Sequence, residues 1–330
     1  MPDVRLAPSR RFASPAVRTA LRHALAAIAG ASLLAGWGIA AAQAPAVERA
    51  ASPAQSADDA PKRGLLFEVK SANTTVYLFG TIHVGRPEFY PLDAQTNRAF
   101  AASSTLYLEV NLSDSALVAN ASALATYPPG AAPRPLPPSV QAKLDAALDR
   151  YQLPRQAALA MKPWMLGQTL LLLEATRQGY DPAYATEIHL MGLATAQHKE
   201  VRGLETLDEQ FAVFDHMPDD AQQRFLADIV DALDDPRMGT DLDALVGAWA
   251  NADPRGLEDE LARERAEGTA FAREVMPRLV DERNRTMAER IADIAKSGRT
   301  TFVAIGALHL VGQNGVVALL RARGLAVRPL

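Results

Sequence analysis

Cysteine is absent from this 330-residue chain, which excludes a disulfide framework, a thiolate nucleophile, thiolate-bound zinc and an iron–sulfur cluster. Any metal must therefore be held by nitrogen and oxygen. Histidine is scarce, with six residues, and aromatics make up only 6%. A Gly-x-Ser-x-Gly elbow, a P-loop, a dinucleotide fingerprint and a His-Glu-x-x-His helix are all missing. Elbow-type serine hydrolases, P-loop NTPases and zincin proteases lose their sequence signature with them. Past residue 42 no apolar run approaches the ~20 residues of a membrane span. What is present is a globular composition, 48% hydrophobic and 22% charged, which rules out collagen, coiled coil and wholesale disorder.

The first 42 residues differ from the rest. Arg5, Arg10, Arg11, Arg18 and Arg22 form a basic stretch, the run from Leu25 to Ala42 is apolar and Ala-rich, and Ala40-Ala41-Ala42 offers small residues for cleavage. This reads as a signal peptide over 1–42, with no stable membrane anchor after cleavage and a periplasmic or secreted destination. Arg10-Arg11 stands in an imperfect twin-arginine context. Removing 1–42 leaves 29 basic against 37 acidic residues, a net charge of −8, and such a surface does not suit nucleic acid. Residues 43–62, rich in Ala, Pro, Ser and Asp, read as a disordered leader, and 63–330 as one domain.

From Gly64 the pattern turns to structure. Runs over 65–70 and 75–80 read as a β-hairpin, a helix is expected from Pro91 to Ala102, and 105–110 reads as a third strand parallel to the second. A long helical middle follows from about 114 to 197, then a short strand over 200–204, then further helices ending in a long one over 270–297 capped by Gly298. The chain closes on a strand over 300–305, a helix over 312–323 and a strand over 325–328. Val76 to His83 and Phe302 to His309 repeat one theme: an apolar strand running into Gly-x-x-His. The fold class is thus α+β, a central mixed sheet built from two strand–Gly-x-x-His–helix–strand half-repeats and covered by a large helical insertion.

His83 and His309 follow strand ends, where open α/β sheets place ligands. Gly80 and Gly306 each remove a side chain beside that spot. Glu109 sits among apolar residues of a strand and, if buried, needs a cation or a proton. Glu205, in Gly203-Leu204-Glu205-Thr206, closes the short strand, or alternatively favours the start of the next helix. Two His with one or two Glu at strand ends make either an N/O-ligated divalent site or a metal-free His–Glu pair that activates water. Arg283 and Asn284 lie either on a solvated helix face or against the sheet, where they would stabilise an oxyanion. Trp164 reads as a core anchor.

Phe79-Gly80-Thr81-Ile82-His83, Leu108-Glu109, Lys162-Pro163-Trp164, Gly203-Leu204-Glu205-Thr206, Asp281-Glu282-Arg283-Asn284 and Gly306-Ala307-Leu308-His309 resemble the TraB/GumN family, which includes Tiki-type metalloproteases. The resemblance covers about 64–330. It implies a Tiki-like fold on paired Gly-x-x-His elements and, in some members, divalent-metal-dependent peptidase activity. His83 and His309 match the motif histidines, Glu109 the strand glutamate, and Glu205, Arg283 and Asn284 further polar positions. The segment from Asp181 to His189 matches only loosely.

The expectation is an exported hydrolase in which His83, Glu109 and His309 hold a divalent metal (Mn, Co or Zn) and Glu205 or Arg283 assists, with a peptide or protein as substrate. Two alternatives stand beside it. One is a non-catalytic periplasmic protein that binds or sequesters peptides, the other a metal-free, esterase-like hydrolase. The sequence does not fix the oligomeric state.

Overall fold

A computed structural model describes residues 57–330 except 72–73, 112–122, 129, 132, 236 and 267–269. The expected signal peptide and most of the expected leader lie outside the described residues. Among the described residues, no helix is long and apolar enough to cross a membrane.

Six strands form one mixed sheet in the order β4-β3-β5-β2-β1-β6. They are β1 (Leu66–Ser71), β2 (Thr74–Thr81), β3 (Thr105–Val110), β4 (Glu200–Glu205), β5 (Thr301–Gly306) and β6 (Ala326–Pro329). Antiparallel β1 and β2 form the expected hairpin, Leu66 facing Phe79 and Ser71 facing Thr74. β2 and β3 are parallel as expected, but they are not neighbours: β5, which arrives almost at the end of the chain, lies between them and is parallel to both. Its six residues, Thr-Phe-Val-Ala-Ile-Gly, are all buried, as a central parallel strand covered on both faces requires.

Twelve α-helices occur among the described residues. α1 (Ala94–Ala102) links β2 to β3. It begins three residues after Pro91 because the Asp93 side chain accepts from the backbone N–H groups of Gln95 and Thr96, which fixes the N-cap. The central insertion supplies α2 (Pro138–Arg150), α3 (Arg155–Ala160), α4 (Pro163–Arg177) and α5 (Thr186–Ala196). After β4 come α6 (Leu207–Asp215), α7 (Asp219–Ala232), α8 (Met238–Ala250) and α9 (Pro254–Ala266). Trp164 is fully buried, stacked on Phe214 and edge-on to Phe211, the core anchor its sequence context predicted.

The long helix expected over 270–297 is not continuous. It divides into α10 (Ala270–Glu274), a π-helical turn over Pro277–Glu282, and α11 (Arg283–Ile294). Pro277 lacks the N–H that an α-helix needs at that point, and the wider turn rotates the following residues. Consecutive Arg283 and Asn284 are consequently both buried. After β5, a 3₁₀ turn over Ala307–His309 leads to α12 (Val316–Ala322) and the edge strand β6.

Candidate functional site

The carboxyl ends of β2, β3, β4 and β5 converge with the first turn of α11. β2 and β5 are paired one residue out of step with their motifs, so Thr81, not Gly80, lies opposite Gly306. The two glycines therefore do different jobs. A Cβ on Gly306 would stand 3.2 Å from Glu109 Oε1, 3.5 Å from His83 Nε2 and 3.5 Å from His309 Cδ2. One point above Gly306 is thus shared by both imidazoles and a carboxylate. A Cβ on Gly80 would instead meet Leu310 Cδ1 at 3.0 Å and Ala307 at 3.1 Å. Gly80 thus admits the turn that carries His309, while Gly306 leaves room at the shared point.

Five of the six predicted side chains, Glu109, Glu205, Arg283, Asn284 and His309, meet in one hydrogen-bonded network, and His83 stands beside it, facing the same point above Gly306. Arg283 is its hub: Nη2 donates to Glu109 Oε2 and to Glu205 Oε2 at 2.6 Å each, and Nε donates to Glu205 Oε2 at 3.0 Å. Glu109 Oε1 also accepts from the Gly306 N–H at 2.6 Å. His309 Nδ1 lies 2.7 Å from Asn284 Oδ1, while Asn284 Nδ2 donates to the Asn314 carbonyl. The amide orientation makes Nδ1 of His309 the protonated nitrogen and leaves Nε2 to accept from Arg283 Nη1 at 3.3 Å.

The electrostatics follow from these neighbours. Burial opposes ionisation of Glu109, but Arg283, then His309 and His83, and the Gly306 N–H hold its carboxyl far below the usual range. Arg283, also buried, is raised by Glu109 and Glu205. His309 is pushed down to about 4, chiefly by burial, with Arg283 and His83 adding to it against the pull of Glu109. His83 goes the other way: burial lowers it, yet Glu187, aided by Glu109, raises it above the ordinary histidine value.

His83, Thr81, Trp249, Gly306 and His309 line a cavity of about 30 Å³, the scale of one water molecule. In this arrangement two of the three expected metal ligands are turned to other partners. Glu109 spends its oxygens on Gly306, Arg283 and Gln210, and His309 turns Cδ2, not nitrogen, toward the shared point. Among the described residues no group of three or more His, Asp or Glu side chains is arranged to hold a metal ion.

The sequence profile of the TraB/PrgY/gumN family matches residues 65–329. The chain belongs to this family. The uncharacterized protein YbaP of Escherichia coli (strain K12) is 24% identical over 251 residues, spanning 76% of this chain and 89% of its own length. The protein of the same name from Shigella flexneri matches to the same extent. No solved structure shows significant similarity.

In this TraB/PrgY/gumN member the network includes residues that the sequence reading missed. Glu187 Oε1 is 2.9 Å from His83 Nδ1 and also accepts from the Thr81 hydroxyl. Gln210 Nε2 donates to Glu109 Oε2 at 3.1 Å and is 3.4 Å from Glu205 Oε2. Both carried a signal. Glu187 shares a helix face with Leu190 and Ala194, and Gln210 with Leu207, Phe211 and Phe214. A polar side chain in an apolar stripe must find a buried partner.

Proposed function

We propose that this TraB/PrgY/gumN protein is a hydrolase in which His83 is the acid–base group, acting on an acyl bond, with peptides as the substrate class that the family resemblance favours. One observation carries this reading: Glu187 fixes Nδ1 of His83 while Nε2 faces the point above Gly306, inside the small cavity. A carboxylate-oriented imidazole with one nitrogen free is the arrangement that general-base catalysis needs.

In the proposed reaction Nε2 of His83 takes a proton from water as the water oxygen bonds to the carbonyl carbon. The tetrahedral species then collapses, and the same proton passes from Nε2 to the departing nitrogen or oxygen. Glu187 steadies the imidazolium formed between the two steps. Arg283 and the Gly306 N–H hold Glu109 ionised, and its fixed negative charge further favours that imidazolium. His83→Gln and Glu187→Gln should each abolish most hydrolysis of a fluorogenic peptide pool; full activity in both variants would defeat the reading.

The divalent-metal peptidase implied by the resemblance is a second reading, with one observation in its favour. Both histidines have Nδ1 tied to a side-chain oxygen, Glu187 or Asn284, as metal-bound imidazoles do. Its ligands would be His83, Glu109 and His309, and the metal would supply Lewis acidity and an acidified water. Elemental analysis of the purified protein, repeated on His83→Ala/His309→Ala, separates the two readings. Stoichiometric Mn, Co or Zn that disappears in the double variant favours the metal; full activity after exhaustive chelation favours the metal-free base. Export belongs to the same proposal, resting on the basic and Ala-rich first 42 residues, and intact mass of the mature protein tests it.

A further inference from the structure

A glutamate that orients a histidine must itself be held, because the last torsion of a glutamate side chain is soft. Glu187 is buried, and an ionised carboxylate can accept about four hydrogen bonds. Both of its polar contacts fall on one oxygen. Oε1 accepts from the Thr81 hydroxyl and stands 2.9 Å from His83 Nδ1, while the buried Oε2 has no hydrogen-bond partner among the described residues. The hydrogen bonds that set the plane of this carboxylate therefore come from Thr81 and from His83, the group it has to orient.

The backbone around this contact is fixed separately. Thr81 is buried at the end of β2, opposite Gly306. The next residue, Ile82, is clasped by the first residue of α5: its carbonyl accepts from the Thr186 N–H at 2.9 Å, and its own N–H donates to the Thr186 hydroxyl at 3.3 Å. α5 is thus docked on the end of β2 through Thr186, and the Thr81 hydroxyl acts on the carboxylate of the adjacent Glu187. His309 shows the same layering. Its partner Asn284 is held in turn, Nδ2 donating to the Asn314 carbonyl at 2.8 Å while Oδ1 meets Nδ1. Each imidazole is oriented by a side chain that a third group secures.

We propose that Thr81 is a positioning residue of the hydrolytic site: its hydroxyl holds the Glu187 carboxylate in the orientation from which Oε1 meets Nδ1 of His83 and Nε2 faces the point above Gly306. The inference rests on the reading of His83 as the acid–base group. Valine at this position keeps the branched shape and removes the donor, after which the carboxylate turns with the imidazole instead of fixing it.

Thr81→Val and Thr81→Ser in the full chain test this by two independent readouts. In proton NMR of protein carrying isotope-labelled histidine, the Nδ1–H resonance of His83 is assigned by its absence from His83→Gln. It should shift or broaden in Thr81→Val and return in Thr81→Ser, while that of His309 stays in place. On the fluorogenic peptide pool Thr81→Val should lower kcat about tenfold, the worth of one hydrogen bond to a charged group, with KM unchanged. Thr81→Ser should recover most of that loss, and Thr81→Ala gives the same readings as valine should Thr81→Val misfold. An unmoved His83 resonance or wild-type turnover in Thr81→Val would overturn the proposal. So would equal loss in the valine and serine variants, or equal disturbance of both histidines, since either shows a role in packing alone. Absence of His83-dependent turnover in the unmutated chain would instead overturn the hydrolytic reading, and the resonance then decides whether Thr81 positions Glu187.

Discussion

The two Gly-x-x-His histidines come from the same local sequence pattern and end in opposite electrostatic states. His83 answers to a carboxylate, Glu187, and its side chain is 12% exposed; His309 answers to an amide, Asn284, lies against the Arg283 guanidinium and is 5% exposed. One is raised and the other is pushed down to about 4. The motif delivers an imidazole to the end of a strand, and what packs against it decides whether that imidazole gains or loses a proton.

The sharpest way to break this asymmetry is to remove the partner of His83. Under the proposed hydrolytic role, Glu187→Gln or His83→Gln should lower turnover by roughly 10²–10⁴-fold, read as kcat on a fluorogenic peptide pool, while the corresponding His309→Gln change should raise KM or lower stability more than it lowers kcat. Next in size is Arg283→Met. It leaves Glu109 and Glu205 as buried carboxylates without their cation, at a cost of roughly 3–5 kcal/mol, measured by urea unfolding.

The pH dependence of folding separates the two histidines by sign. A neutral His309 contributes stability that is complete above its ordinary value of 6.5 and is lost as the pH falls toward about 4. The loss should approach roughly 3 kcal/mol and be flattened in His309→Asn. His83 contributes in the opposite sense, fully below the ordinary histidine value and fading as the pH rises through its raised one. Urea midpoints of both variants between pH 4 and 8 check the two slopes. The smallest effects belong to the glycines. Gly80→Ala should cost about 1–3 kcal/mol of stability through Ala307 and Leu310. Gly306→Ala should instead reduce the proposed activity more than melting temperature, since its Cβ points at Glu109, His83 and His309.

Strand and helix periodicity made most elements readable, and the apolar setting of Glu109 demanded a cation or a proton, of which the structure supplies the cation, Arg283. Besides Gln210, three features escaped. The insertion of β5 between β2 and β3 is a long-range pairing that local pattern does not encode. The π-helical turn at Pro277 was hidden inside an otherwise helical stretch, and it is the turn that brings Arg283 and Asn284 inward. Glu187 lay in the segment that matched the family pattern only loosely, so only its place on a buried helix face marked it.

The central position of β5 also has a consequence for how the molecule comes to exist. The hydrogen bond from Gly306 N–H to Glu109 joins partners 197 residues apart, so a nascent chain leaving the ribosome carries β2 and β3 long before the strand that unites them. Until that strand arrives, neither half owns a complete core, and Glu109 lacks the Gly306 N–H that it accepts from. Such late closure makes for slow folding and a long exposure of sticky edges, so holding the chain open until synthesis ends would protect it.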